Sequence, residues 1–413
     1  MVRRRFFITG ILLCIFPLHA NAVTLSEAME TALEQHPMLR ISNTLVEGAQ
    51  GELQEQRAYA YNPELSVQPQ RRRLNGGGST NDYYITLSQG VELGGKQSYR
   101  EKSAQAALEA TKLEIGAGRQ RIMADAARAL VALYFSKREL LWRKQQTLTL
   151  LQLNKAVSRQ MAVGEANQLD VNLAKSSLIQ SINAEVVAKQ QHAMNVSKYL
   201  MATGESSPAN DIQVELPKLL PAWEALSDPV DIALNSRPDI VVKRQYLTQS
   251  SAQAELARAN KVPDLTVGLM AGREAGDQLV SLAFTMPIPV LNSHEGAYRT
   301  AMSQATAQQA ELEWLEQRVK LEVQEATYNH GTAMRAIFAV NEVERVDISK
   351  DKIALAKAAF DAGELNIEEL VVHINQMLES RITAAAILKQ GWMARIRLAE
   401  VLGHPEYILE GNK

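Results

Sequence analysis

The residues most able to do chemistry in this sequence form a glycine-rich stretch that ends in a lysine, Gly90-x-x-x-x-Gly95-Lys96. In a phosphate-binding loop such residues hold nucleotide phosphates, and the next residue is a Ser or Thr whose hydroxyl binds magnesium. Gln97 stands at that position here. The stretch therefore predicts no nucleotide site. We interpret Gly94, Gly95 and Lys96 as a bend that leads the chain from a strand into a helix.

Two further stretches match each other and each ends in an acid. Val163-Gly164-Glu-Ala-Asn167-Gln-Leu169-Asp170 corresponds position for position to Ala362-Gly363-Glu-Leu365-Asn366-Ile-Glu-Glu369. In both, the glycine suits the left-handed position after a helix C-terminus. The asparagine suits a helix N-cap, and the acid suits the third helical position of a capping box. Each stretch therefore predicts a tight turn between two helices, and capping is a sufficient reason for both acids.

Histidine and methionine could mark metal handling, but they are scattered along the chain. No H-x-H, H-E-x-x-H or M-x-M pattern occurs. His373 and Met377, four residues apart on one helical face, could form a weak soft-metal site, although packing or simple exposure is the simpler explanation. No Ser–His–Asp set, catalytic carboxylate pair or cofactor loop can be argued from the sequence. We therefore expect no enzyme activity, no cofactor and no resident metal.

The N-terminus has the layout of a secretory signal peptide, which we assign to residues 1–22. Three arginines are followed by an apolar run over 6–18 and by Ala20-Asn21-Ala22, an A-x-A cleavage site. The run is too short to span a bilayer, and the only cysteine, Cys14, lies inside it. Cleavage removes three positive charges, so the formal net charge changes from −2 to −5. That balance argues against a nucleic-acid partner.

The rest of the chain is one pattern written twice, with a nearly constant offset between the copies. Matching anchors lie along the whole length: Pro63-Glu-Leu-Ser-Val67 with Pro263-Asp-Leu-Thr-Val267, Tyr99-Arg100 with Tyr298-Arg299, Gly164-Glu165 with Gly363-Glu364, and Gly204 with Gly403. The sequence thus predicts a first repeat over 23–205, a proline-containing linker over 206–227 and a second repeat over 228–413.

Each repeat contains two short runs in which apolar residues alternate with small or polar ones, separated by turn residues. Such a pair of runs predicts a β-hairpin. The apolar positions are Leu65, Val67, Ile85, Leu87, Leu265, Val267, Leu269, Val280, Leu282 and Phe284. Runs of this length fit transmembrane barrel strands, and a soluble two-sheet domain is the alternative that the hairpins leave open. Because four strands cannot close a membrane barrel, several copies must each contribute four.

Long helical patterns surround the hairpins. A helix precedes each hairpin, and a proline-free tract rich in Ala, Leu, Gln and Glu follows it, over 97–163 and 293–362. At 1.5 Å per residue, each tract predicts a rod of roughly 100 Å. A tight turn and a second helix follow, over 167–203 and 366–402. Periodic segments this long indicate coiled-coil packing, so the fold class is mainly α with a small β part.

This order of elements resembles the TolC-like outer-membrane efflux factors over essentially all of the mature sequence. The stretch Gln89-Gly-Val-Glu-Leu-Gly94-Gly95-Lys96 is similar to the strand-to-helix junction of the heavy-metal branch, the cobalt–zinc–cadmium exporter outer-membrane subunits. The resemblance implies a homotrimer, in which twelve strands form a β-barrel among outer-membrane lipids. It also implies that the long helices form an α-barrel that extends into the periplasm.

For the two turns, the resemblance implies docking of a periplasmic adaptor, the membrane fusion protein. The docking residues would be Val163, Gly164, Leu169, Ala362, Gly363 and Leu365. Asp170 and Glu369 would lie near a constricted aperture, where acids select cations. The function implied is a passive exit duct, with heavy-metal cations supplied by an inner-membrane transporter of the resistance–nodulation–division (RND) class. The duct of a drug efflux or type I secretion system, and a periplasmic coiled-coil tether without a pore, are the alternatives.

Overall fold

The computed structural model describes residues 22–73, 75–206, 212–217, 220, 226–346 and 352–409. Most of the predicted signal peptide and part of the predicted linker thus lie outside the described residues. In the first half of the chain the elements are α1 (Leu25–Gln35), α2 (Pro37–Arg57), β1 (Glu64–Arg73), β2 (Ser79–Val91), α3 (Lys96–Ala162) and α4 (Gln168–Thr203).

The second half repeats this order of helices and strands. Its elements are α5 (Pro229–Ser236), α6 (Pro238–Ala259), β3 (Leu265–Glu274), β4 (Asp277–Thr285), α7 (Glu295–Val346), α8 (Lys352–Asp361) and α9 (Ile367–Leu402), before a short 3-10 helix, Pro405–Ile408. Helices α7 and α8 occupy the tract predicted over 293–362, and residues 347–351 between them are not described. The predicted fold class, mainly α with four strands, is confirmed.

Local residue choices set the ends of the helices in both halves. Pro37 and Pro238 stand at the first turn of α2 and α6, where the missing amide hydrogen is not needed. Gly204 and Gly403 end α4 and α9 with positive φ angles of 77° and 76°. A β-carbon on either glycine would lie 2.9 Å from a carbonyl oxygen at the end of α1 or α5. Only glycine therefore allows this close approach of helix ends.

Helix α3 has 67 residues, which corresponds to a length of roughly 100 Å. It runs without a break through Gly116 and Gly118, although each glycine costs about 1 kcal/mol relative to alanine in a helix interior. Packing along its length against α2, α4, α6 and α9 outweighs that local cost.

All four strands belong to one antiparallel sheet in the order β1-β2-β3-β4. Each hairpin pairs its own two strands, and β2 pairs with β3, so the two halves share one sheet. The alternative of two separate sheets is therefore wrong for this chain. Strands β1 and β4 are the edges of the sheet, each with one side unpaired in the single chain.

The register separates apolar from polar side chains on the two faces of the sheet. Leu65 lies opposite Leu87, Leu87 opposite Leu269, and Leu269 opposite Leu282. Since side chains alternate along a strand, these residues share one face. We call it the apolar face; all four of these leucines are exposed in the single chain. The other face carries mostly small and polar side chains, together with Tyr84, Met270 and Leu279.

The helices form an arc in which α3 is central. Helix α3 packs against α4, α6 and α9, helices α6 and α9 in turn pack against α7, and α4 has a smaller contact with α9. Helices α4 and α7 are therefore the two edges of the arc. Near the sheet, α2 packs on α3 and lies on the side of β1, while α7 follows directly from β4.

Within the described residues, no helix has both the length and the apolar composition needed to cross a membrane.

Candidate functional site

The first turn at the far end of the rods joins α3 to α4 through a Schellman motif. The amide of Glu165 donates to the carbonyl oxygen of Gln160 at 2.9 Å, and the amide of Gly164 donates to that of Met161 at 3.1 Å. Gly164 has a φ of 83°. These two bonds satisfy carbonyl groups that the helix end would otherwise leave unpaired.

The second turn, between α8 and α9, has the same geometry. Here the amide of Glu364 donates to the carbonyl oxygen of Ala359 at 2.8 Å, and the amide of Gly363 donates to that of Phe360 at 3.0 Å. Gly363 has a φ of 78°. The matching sequences therefore give matching turns, which we call the tips.

Each tip continues into a capping box, as the spacing of asparagine and acid predicts. The amides of Asp170 and Glu369 donate to the side chains of Asn167 and Asn366 at 3.0 and 2.9 Å. In return, the carboxylates of the two acids accept from the amides of the two asparagines at 3.0 and 2.9 Å. Both acids therefore stabilise the first turn of a helix. The side chain of Glu369 is exposed, and that of Asp170 is half-buried.

Five of the six residues predicted to dock an adaptor are exposed at the tips: Val163, Gly164, Leu169, Ala362 and Gly363. Leu169 is 75% exposed, and Val163 on the same turn is 71% exposed. Leu365 differs from the others because it is half-buried against an apolar cluster between the tips. Leu365 therefore stabilises the second tip by packing, and it is less available to a partner than the other five residues.

That apolar cluster, which we call the tip cluster, fixes the two tips relative to each other. It combines side chains of α3, α4, α8 and α9: Leu150, Leu153, Val157, Val171, Ala174, Ala356, Ile367, Leu370, Val371 and Ile374. Polar contacts extend the same connection along the rods. The Gln146 amide donates to Asn375 at 2.8 Å, and Arg143 forms an ion pair with Glu379 at 2.8 Å. The tips therefore form one surface.

At the opposite end of α3, the predicted bend is present. Gly94 and Gly95 have φ angles of 80° and 73°, and a β-carbon on Gly94 would lie 3.2 Å from the carbonyl oxygen of Ala259. Lys96, only 6% exposed, forms an ion pair with Asp264 at 2.7 Å. The ammonium group of Lys96 therefore takes part in an ion pair that joins the two halves of the chain.

Asp264 is the centre of this junction, and the sequence did not single it out. Its carboxylate also accepts from the amide of Leu93 at 2.9 Å and from the hydroxyl of Tyr61 at 2.6 Å. Burial alone would raise the pKa of Asp264, but the hydrogen bonds from Lys96, Tyr61 and Leu93 hold it below its usual value. The hydrogen bond to Asp264, together with burial, raises the pKa of Tyr61 to about 12. In the sequence, the feature that pointed to Asp264 is that an acid follows the proline in both matching segments, Pro63-Glu64 and Pro263-Asp264.

His373 and Met377 have different surroundings on α9. His373 is exposed on α9, whereas Met377 packs against the tip cluster. No group of three or more potential His, Cys, Asp or Glu ligands converges anywhere in the described part of the chain.

Comparison with known proteins gives a consistent result. Residues 230–404 match the family model described as outer membrane efflux protein. The chain is 23% identical over 399 residues to the cobalt-zinc-cadmium resistance protein CzcC of Cupriavidus metallidurans, covering 94% of this chain and 92% of that protein.

Two solved structures show the same fold. The CmeC outer membrane channel of Campylobacter jejuni has a TM-score of 0.77 at 16% identity, covering 92% of this chain and 86% of that one. The open state of the MtrE outer membrane channel of Neisseria gonorrhoeae has a TM-score of 0.73 at 17% identity, covering 92% and 89%. With its shared sheet, long helices and capped tips, the chain has the fold of these channels, and its second half matches the outer membrane efflux protein family.

Proposed function

We propose that this protein is the outer-membrane channel subunit of a tripartite efflux pump and that it passes heavy-metal cations. The observation that carries the proposal is the division of one chain into three parts. A four-stranded sheet with an exposed apolar face lies at one end, rods of roughly 100 Å extend from it, and two matching tips end the rods. This is the layout of a passive duct, which guides cargo and performs no chemistry.

The open edges of the single chain support a closed ring of identical subunits, which we take to be a homotrimer. Strands β1 and β4 each have one unpaired side, and an unpaired strand edge pairs readily with another strand. If β4 of one subunit pairs with β1 of the next, the two different edges make a head-to-tail interface that closes as a ring.

In the helical region, the edge helices α4 and α7 each have an exposed apolar stripe, which corresponds to the unpaired strand edges of the sheet. Buried Val319 and Val323 of α7 face α6 and α9, while an exposed apolar stripe lies on the opposite side of the helix. That stripe consists of Trp314, Leu321 and Tyr328. Helix α4 has a corresponding exposed stripe, Val187, Met194 and Met201. Spacing of seven residues is typical of a coiled-coil contact, so each stripe fits the opposite edge of a neighbouring subunit.

The tips support docking of a periplasmic adaptor, which connects the duct to an RND-type transporter in the inner membrane. They are exposed, and the tip cluster and the inter-helix polar contacts hold them in fixed geometry. Exposed apolar side chains such as Val163 and Leu169 offer the kind of surface that a protein partner buries.

Heavy-metal cargo is inferred from the relative named as a cobalt-zinc-cadmium resistance protein. Among the described residues, no group of three or more His, Cys, Asp or Glu side chains converges as potential ligands for such ions. A duct needs no such site, because conduction requires binding that is weak enough to release the ion.

Two measurements test this function. Purified protein in planar bilayers should conduct ions, and deletion of the gene should lower tolerance to cobalt, zinc or cadmium, with recovery on complementation. Absence of conductance from correctly assembled protein would contradict a duct. Sensitivity to drugs with unchanged metal tolerance would contradict the heavy-metal cargo while leaving the duct intact.

A further inference from the structure

The charged residues of the four-stranded sheet are divided unequally between its two faces. On the apolar face the only charged side chains within the strands are three arginines, Arg71, Arg73 and Arg273. The acids of the strands lie on the other face: Glu64, Asp82, Glu274 and Asp277. This division follows from the register, because side chains alternate along each strand.

The three arginines lie together at one end of the apolar face. In the register, Arg273 is opposite Tyr83, which is opposite Pro69. Arg71 and Arg73 follow on β1, roughly 7 Å and 14 Å further along the strand, and β1 lies roughly 10 Å from β3. We call this group the arginine rim. It is at the hairpin end of the sheet, opposite to the end from which the long helices extend.

The arginine rim has no acidic partners within the described chain. The Arg71 guanidinium donates to the hydroxyl of Ser79 at 3.3 Å, and Arg273 donates to the carbonyl oxygen of Gly276 at 3.2 Å. All three side chains are exposed, and none forms an ion pair with a carboxylate of the described residues. The rim is therefore a cluster of three uncompensated positive charges.

Arg72, between two members of the rim, shows the contrast. Its side chain is on the other face, where it forms ion pairs with Asp82 and Glu274. The carboxylate of Asp82 also accepts from the amide of Ala275 at 2.9 Å. Arg72 is thus compensated by acids of its own chain, whereas the three arginines of the rim have no such acids among the described residues.

The neighbouring rows indicate the chemistry of that partner. From the row of Tyr83 towards the helices, the apolar face continues through three rows of residues paired across the strands, over roughly 20 Å. These rows contain Val67, Leu65 and Val267. Tyr83, whose ring is half exposed, lies at the border between these rows and the rim. An apolar band bordered by an aromatic residue is typical of a surface in contact with lipid. A ligand of the rim must therefore combine acyl chains with anionic groups.

We propose that the arginine rim binds the phosphate groups of lipopolysaccharide in the outer leaflet of the membrane. Guanidinium groups bind phosphate through two parallel hydrogen bonds, and basic residues beside a lipid surface attract anionic headgroups. This inference rests on the proposed function, because the outer-membrane orientation places the hairpin end on the side away from the periplasmic helices.

The test titrates delipidated, detergent-solubilised protein with lipopolysaccharide, dephosphorylated lipopolysaccharide and phosphatidylethanolamine, and counts bound lipid by native mass spectrometry. The parent should bind the phosphorylated form in preference to the other two. The combined change Arg71→Gln, Arg73→Gln and Arg273→Gln should weaken that binding by on the order of tenfold or more. Glutamine keeps the rim polar, so the strand ends stay compatible with the membrane surface.

A matched control removes three charges elsewhere: Arg119→Gln, Arg121→Gln and Lys189→Gln, all exposed on α3 or α4 without ion pairs in the described chain. The control should bind lipopolysaccharide as the parent does. The proposal is overturned if the rim variant binds lipopolysaccharide as well as the parent, or if the rim variant and the control lose binding equally. It is also overturned if the parent binds all three lipids with equal affinity. Conductance of the same preparations tests the proposed function separately.

Discussion

At the tips, Asp170 and Glu369 have a structural role in capping helices, and their predicted role at a cation-selective aperture is a separate hypothesis. Each carboxylate closes a capping box, which accounts for its place in the sequence without reference to ions. The two acids differ in one respect, since Glu369 is exposed and Asp170 is half-buried. In a ring of three subunits, Glu369 would contribute three exposed charges around one axis. Rings of acidic side chains attract cations, so the two roles must be separated by experiment.

The substitution Glu369→Gln separates them. Glutamine still accepts a hydrogen bond at the third helical position, so capping alone predicts a stability change within about 0.5 kcal/mol and unchanged ion selectivity. The aperture role predicts reduced cation preference, recorded in planar bilayers as a reversal potential closer to zero under a salt gradient. Asp170→Asn should give a smaller change in the same direction. An unchanged reversal potential for Glu369→Gln would leave this residue as a helix cap only.

His330 on α7 predicts a specific acid sensitivity of the helical region. Its side chain is only 4% exposed, and burial, with a smaller contribution from the nearby charge of Arg395, lowers its pKa to about 4. The unfolded chain, with a histidine pKa near 6.5, therefore binds a proton that the folded chain excludes. Stability must fall as the pH falls below about 6.5, and the loss continues towards pH 4.

The expected loss from His330 is about 2 kcal/mol per chain at pH 5. Thermal unfolding of the parent and of His330→Gln, each measured at pH 7.5 and pH 5, isolates this contribution from other titrating groups. The parent should lose more stability than the variant between the two pH values. Parallel losses in the two proteins would show that His330 does not cause the sensitivity.

At the scale of elements, the tips depend on two glycines with positive φ. Gly164→Pro or Gly363→Pro removes the left-handed geometry and one hydrogen bond of the Schellman motif. Because the tips are exposed, we expect assembly and conductance to persist while efflux-dependent resistance is lost. Asparagine at the same positions is the matched control, since it tolerates the left-handed region. Full resistance in the double proline variant would remove the docking role.

The junction between sheet and helix depends on the pair of Lys96 and Asp264. Asp264→Ala leaves a nearly buried ammonium group without its partner, so the cost should be about 3 kcal/mol. Lys96→Met should cost less, because Asp264 keeps the donors Tyr61 and Leu93. The two changes combined should cost less than their sum by about 1 kcal/mol or more. Additive shifts in thermal unfolding would show that the two groups do not stabilise the junction together.

How far the sequence predicted these elements depends on the range of the interactions involved. The tips are encoded within eight residues, so glycine, asparagine and acid were enough to predict both the left-handed glycines and the capping boxes. The two hairpins were predicted from alternation for the same reason. The pairing of β2 with β3 and the ion pair of Lys96 with Asp264 join residues more than 160 positions apart. No local pattern specifies which distant partner such residues meet. The half-buried state of Leu365 likewise depends on the tip cluster, which the turn sequence does not contain.

At the scale of the whole molecule, the single chain has two unlike edges that extend through both the sheet and the helices. The sheet ends in β1 and β4, and in the helical region α4 and α7 pack against other helices of the described chain but not against each other. Two unlike edges allow a ring in which one edge of each subunit meets the other edge of the next. The exposed stripes of α4 and α7 provide a means to test this arrangement with single substitutions.

Leu321→Glu places a charge in the middle of the α7 stripe, where the leucine is 67% exposed in the single chain. If a neighbouring α4 covers it, the change loses apolar burial of about 2 kcal/mol at each interface and adds the cost of desolvating a carboxylate. Leu148→Glu is the matched control, because Leu148 is 54% exposed on α3, whose flanks are occupied by α4 and α9. Native mass of the detergent-solubilised proteins should show trimers for the parent and the control, and monomers or unstable trimers for Leu321→Glu. Equal assembly of both variants would mean that α7 is not at a subunit interface, and the ring would have to close through other surfaces.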